Sequence, residues 1–172
     1  DEARNDVIYQ MGALQAFTTS KKLQHVKPHG AMYNMAVNDE ALALAICEAA
    51  LAVDSDVIML ALAGSRWTEV AEEAGLRVAR EIFADRALNA DGTLVPRSQP
   101  GSVIHDTSAV VDRSLRMVTE GKAIAITGEV IEVRADSLCL HGDTSGAVEL
   151  ARALKEALVE EDVDIIPLNE LV

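Results

Sequence analysis

Residues 57–63 read Val-Ile-Met-Leu-Ala-Leu-Ala, apolar at every position. A strand with one wet face alternates apolar and polar residues, and an amphipathic helix interrupts such a run every third or fourth position. An unbroken apolar run bounded by turn residues, here Gly64-Ser65, is what a parallel strand covered on both faces requires. Parallel strands cannot be joined by tight turns, so the rest of the chain must supply long crossovers.

It does. Val7, Met11 and Leu14 repeat at helical spacing, and residues 23–27 form a short strand-like segment ended by Pro28, which has no N–H to continue a ladder. Asn38 is placed to cap the next helix, with Asp39 and Glu40 at its positive end and Leu42, Ile46, Ala49 and Val53 as its buried stripe. After the apolar run, Trp67, Val70, Ala71 and Ala74 mark a further helix that Gly75 ends, and residues 77–83 read as a strand. A connection over 84–106, containing Gly92, Pro96, Pro100 and Gly101, is too long for a routine turn and is expected to be functional or disordered.

Val111, Leu115 and Val118 predict a helix ending at Gly121, and two strand runs about Thr127-Gly128 predict a hairpin. Residues 137–140 are strand-like and 141–146 a loop. Ala147, Leu150, Ala151, Leu154 and Leu158 line a last helix, and 164–167 is expected to form a final strand. At 172 residues this is one α/β domain with a parallel sheet and right-handed crossovers, either an open doubly wound sheet or an arc of a (β/α) barrel. A closed barrel needs on the order of 250 residues.

The formal charge of -13 repels phosphate backbones and anionic lipid, which argues against a nucleic-acid partner. No apolar run approaches the roughly 18 residues that span a bilayer. No signal peptide is evident, although the chain opens at Asp1 without Met, so the cytoplasm is the default compartment and Cys47 and Cys139 are expected to be reduced, buried thiols.

Ligands bind in such folds where strand carboxyl ends meet the following loops. Those loops carry Lys27-Pro28-His29-Gly30, Gly64-Ser65, Ala84-Asp85-Arg86 and His141-Gly142-Asp143-Thr144, so Lys27, His29, Asp85 and His141 are expected to share one pocket. His29 is either a functional ring stiffened by Pro28 or a loop histidine bonded to a neighbouring carbonyl, and His141 stands similarly. Gly30 permits close approach of a ligand. Lys27 is either a cation for a developing oxyanion or a lysine snorkelling from a strand end. Asp85 and Arg86 either clamp a carboxylate or pair with each other in solvent. The turn at Gly142 opens a helix and offers free N–H groups. His105 and Asp106 read best as helix-capping residues. No metal-ligand spacing such as H-x-x-x-H and no G-x-x-x-x-G-K-[ST] loop is present.

Four strings, taken in order, closely resemble the LamB/YcsF family: His25-Val26-Lys27-Pro28-His29-Gly30-Ala31-Met32-Tyr33-Asn34, Glu81-Ile82-Phe83-Ala84-Asp85-Arg86-Ala87, Asp91-Gly92-Thr93-Leu94-Val95-Pro96-Arg97-Ser98 and Leu140-His141-Gly142-Asp143-Thr144. The resemblance runs through essentially the whole chain. It implies a (β/α) barrel of the glycoside hydrolase/deacetylase type. Members of the family begin with a further segment bearing an Asp-Leu-Asn-Cys-Asp-like start and two histidine loops, so the expected form here is an incomplete barrel lacking its N-terminal strands.

For function, the resemblance implies the A component of a 5-oxoprolinase, opening 5-oxoproline to glutamate with B and C subunits that handle ATP. A divalent metal and a homo-oligomer stay open. The implied roles are Lys27 on negative charge, His29 or His141 on water, Asp143 orienting a histidine, and Arg86 or Arg97 on the substrate carboxylate, with Asp85, Gly30 and Gly142 lining the substrate site. The alternatives are a metal-dependent amidohydrolase or deacetylase, and a non-catalytic lactam-binding assembly protein.

Overall fold

The computed structural model describes residues 1–142 and 146–172, in two compact units: residues 1–80 with 168–172, and residues 81–167. The first unit contains α1 (Glu2–Gln15), β1 (His25–Val26), α2 (Ala31–Ala36), α3 (Glu40–Val53), β2 (Ile58–Leu62), α4 (Arg66–Glu73), the first half of β3 (Arg77–Phe83) and, further along the chain, α7 (Leu168–Leu171). β1 and β2 pair in parallel, His25 opposite Ile58 and Val26 opposite Met59, and β3 follows β2 in strand order. Every residue of β2 is buried, as its unbroken apolar run demands. Ile58 and Leu60 meet Ala79 of β3 in a cluster closed by Leu168 and Val172.

α3 packs against α1 and α4, burying Ala43, Ile46, Cys47, Ala49 and Ala50. Its cap is Asp39, whose carboxylate accepts from Leu42 N–H at 3.0 Å, one residue beyond the expected Asn38. The reason is α2: residues 31–36 form a helix of their own, and the N–H groups of Asn38 and Asp39 both bond back to the Met35 carbonyl. Cys47 lies fully buried near Trp67, and burial pushes its thiol up to about 11, with the indole opposing. It is an inert core thiol; Cys139, likewise in no disulfide, is only half-buried.

The second unit takes the end of β3, residues 84–106, α5 (Thr107–Leu115), β4 (Lys122–Ile124), β5 (Val130–Glu132), β6 (Ser137–Cys139) and α6 (Ala147–Glu160). β3 pairs in parallel with β6, Glu81 opposite Ser137 and Phe83 opposite Cys139. β4 and β5 form the expected antiparallel hairpin. Asp106 caps α5, accepting from Ala109 N–H at 2.8 Å, and its bond from the Ser108 hydroxyl, followed by that N–H, holds its carboxyl below the usual range. α5 continues into a π-helical turn, Arg116–Glu120, and stops at Gly121, whose left-handed φ of 66° favours glycine.

The buried face of this helix is Val110, Ser114 and Met117, one position before the expected Val111, Leu115 and Val118, which are half-buried. Val110 and Leu154 of α6 close over Ala84. The expected strand at 164–167 does not form. Ile165 and Ile166 are exposed and Pro167 has no N–H to offer a ladder, so the chain passes unpaired into α7. Among the described residues no helix is long and apolar enough to cross a membrane.

Ile46 is wholly buried at the α1–α3–α4 contact. Ile46→Ala is expected to destabilise the chain by about 3 kcal/mol. Denaturant unfolding checks this through a lower midpoint at unchanged slope.

Candidate active site

β3 aims two functional side chains by its period of two. Phe83 and Asp85 lie on one side of the chain, while Ala84 between them packs into the core with Val110 and Leu154. Asp85 is 2% exposed, and both of its oxygens lie against His141 Nδ1, at 2.8 and 2.9 Å. A carboxylate only accepts, so Nδ1 carries a proton, and in the neutral imidazole the lone pair is on Nε2. The Phe83 ring stacks on the imidazole at 5.8 Å between centroids and 22° between planes, which fixes the ring's remaining freedom. His141 follows β6, the neighbour of β3, and parallel pairing therefore joins two groups 56 positions apart in sequence.

Arg86 is 6% exposed and turned into its own loop, where Nη2 donates to the Val95 carbonyl at 2.6 Å and Nε to that of Ser102 at 3.2 Å. Burial lowers its pKa; the Arg97 charge lowers it further, and Asp85 opposes both. The Asp85 carbonyl accepts from Ile104 N–H at 2.9 Å, and Ala87 N–H donates to the Ser102 carbonyl at 2.9 Å. The long connection is thus an ordered loop folded back on Asp85 and Arg86. Asp91 holds its tip, accepting from both the N–H and the hydroxyl of Thr93.

Arg113, on α5, gave no signal in the sequence beyond being a helical arginine. Its Nη1 donates to the Phe83 and Ala84 carbonyls at 2.7 and 2.8 Å. Burial lowers its pKa, and the charge of Asp85 works in the opposite direction.

The remaining expected site residues fall as follows. Lys27 and His29 belong to the first unit, following β1. The Lys27 ammonium sits 5.5 Å from the centre of the Tyr33 ring, a cation–π distance, and His29 is exposed. Gly30 begins α2 with φ 63° and ψ -125°, a conformation for which glycine is suited, and nothing lies within 4 Å of where a Cβ would sit. Arg97 is exposed in the second unit, as is Gly142. Asp143 lies outside the described residues. Among the described residues no group of three or more His, Cys, Asp and Glu side chains is placed to hold a metal ion.

The LamB/YcsF family model matches residues 1–172. The chain belongs to the LamB/YcsF family. Its relatives include the A component of 5-oxoprolinase from Thermococcus onnurineus, 51% identical, and that of Alkaliphilus metalliredigens, 49% identical; each match covers all of this chain and 68% of the relative. The corresponding 5-oxoprolinase component of Campylobacter jejuni is 46% identical over the same shares. Among solved structures, a lactam utilization protein from Thermus thermophilus superposes with a TM-score of 0.86 at 46% identity, over 95% of this chain and 66% of that one. The chain spans about two thirds of the length of these LamB/YcsF proteins.

Arg86→Ala takes the side-chain donor from the buried Val95 carbonyl and leaves the Ser102 carbonyl with the Ala87 N–H alone, at a cost of about 2 kcal/mol. Native-state amide exchange is expected to quicken at Ala87 and Val95, whose N–H bonds close the same loop.

Proposed function

We propose that the chain acts as the A component of an ATP-dependent 5-oxoprolinase, hydrolysing the lactam C–N bond of 5-oxoproline to give glutamate. The observation that carries this reading is the oriented imidazole. Asp85 accepts the hydrogen bond from Nδ1–H, which leaves the Nε2 lone pair of His141 as a base. The names of relatives about half identical along the whole chain give it a substrate.

An unstrained amide is a poor electrophile, so hydrolysis needs both an activated carbonyl and a deprotonated nucleophile. On this reading His141 Nε2 removes a proton from water as the oxygen bonds to the ring carbonyl carbon. The C–N bond then breaks, and the released nitrogen takes a proton and becomes the amino group of glutamate. Asp85 is then an orienting group rather than a substrate ligand, and Arg86 holds the loop that covers it. Lys27 steadies negative charge, His29 stands as a second base, Arg97 meets the substrate carboxylate, and Asp143, Gly30 and Gly142 complete the substrate site.

ATP would be bound and used by B and C subunits, since this chain has no phosphate-cradling G-x-x-x-x-G-K-[ST] loop. Parallel pairing in each unit and the likeness to the Thermus protein support reading the chain as part of one LamB/YcsF domain, an arc of a (β/α) barrel of the glycoside hydrolase/deacetylase type. The cytoplasm, where ATP is at hand, is its proposed location. An imidazole with Nδ1–H on a carboxylate is also how metal-bound histidines are held, which keeps a metal-dependent amidohydrolase as the second reading.

The test is glutamate formation by the full-length protein with B and C subunits. His141→Ala is expected to lose about 10²- to 10⁴-fold in kcat. Full activity in that variant removes His141 from the mechanism. Turnover that ignores ATP but follows added divalent metal selects the amidohydrolase reading, and 5-oxoproline binding without turnover selects a non-catalytic role.

A further inference from the structure

We propose that Arg113 is a positioning residue for His141, clamping the end of β3 so that the two groups that orient the imidazole stay in place. The inference rests on the assignment of His141 as the base, but its first readout does not depend on turnover.

Both groups that fix the imidazole hang from one short segment. Phe83 supplies the stacked ring and Asp85 the carboxylate, and the peptide units between them are the ones whose carbonyls Arg113 holds. A single nitrogen, Nη1, binds both oxygens, so the Phe83 and Ala84 carbonyls cannot turn independently. Ala84 N–H reaches the Cys139 carbonyl at 3.1 Å, a bond that ties the end of β3 to β6. Beyond it, the bond from Ile104 N–H to the Asp85 carbonyl fixes the Asp85 backbone from the loop side.

Charge points the same way. Asp85 is a buried carboxylate, and within the second unit Arg86 and Arg113 are cations in electrostatic reach of it. Arg86 commits two of its nitrogens to loop carbonyls, at Val95 and Ser102. Arg113 comes from a different element, α5, which is anchored in the core through Val110 and Ser114 beside it. A rigid helix thereby sets the direction in which Asp85 leaves the strand. Outer-shell groups that orient metal-bound histidines change affinity or activity by about 10- to 100-fold when removed, and a loss of the same order is expected here.

The experiment compares Arg113→Met, Arg113→Gln and Arg113→Lys in the full-length protein. The first readout is the His141 Nδ1 proton, observed by ¹⁵N-edited NMR as a slowly exchanging downfield signal; the second is kcat and KM in the complex with B and C subunits. The methionine and glutamine variants are expected to lose the Nδ1 signal while the thermal midpoint shows them folded. Their kcat falls about 10- to 100-fold with KM within about threefold. Lysine, which keeps the charge and can still donate to two carbonyls, restores much of both. Any variant that folds decides the matter, so loss of one to misfolding leaves the others. A retained Nδ1 signal in a folded methionine or glutamine variant, or an unchanged kcat in an active complex, overturns the proposal. A wild-type complex that makes no glutamate sinks the 5-oxoprolinase reading instead, and the NMR signal still decides the role of Arg113.

Discussion

A carboxylate buried as deeply as that of Asp85 is destabilising unless its oxygens are satisfied, and the second unit is organised around satisfying it. His141 donates to it, Arg86 and Arg113 place positive charge within its reach, and residues 84–106 fold back over it. Each of these needs a different piece of the fold. His141 requires β6 to lie parallel beside β3, Arg113 requires α5 to pack across the end of β3, and the returning loop requires the buried guanidinium of Arg86 to gather its carbonyls. The contact is therefore a consequence of the topology, and in return it gives one imidazole a fixed tautomer.

How far this was visible in the amino-acid string depends on range. The fully apolar run at 57–63 and the strand at 77–83 are local patterns, and the structure has strands at both. Cap and face positions shifted by one residue where a neighbour intervened. The α2 turn took Asn38 away from the cap of α3, and the buried face of α5 moved to Val110 and Ser114. The tail at 164–167 had strand-like composition but no partner, and Pro167 removes a donor that a ladder needs.

Within the site, the strand-end rule drew attention to Asp85 and His141, but not to their pairing, because nothing local links groups on opposite sides of 56 residues. The resemblance offered Asp143, outside the described residues, as an orienting carboxylate; among the described residues Asp85 holds the imidazole. Arg86 read as a carboxylate clamp or as a solvated partner of Asp85, and its burial in the loop was hidden because its carbonyl partners lie nine and sixteen residues on. Arg113 looked like an ordinary helical arginine, and only the shifted face of α5 reveals that it sits beside the buried side. Family membership, by contrast, was legible from four short strings and is borne out over residues 1–172.

The central claim is that Asp85 acts through His141 and not on its own account. A double-mutant cycle on glutamate formation by the complex, with Asp85→Asn, His141→Gln and the pair together, tests this most directly. If the two work as a unit, the double variant is about as slow as the His141 single variant, since an orienting group has nothing left to orient. Losses that multiply, so that the double variant is slower by the product of the two single effects, would contradict it.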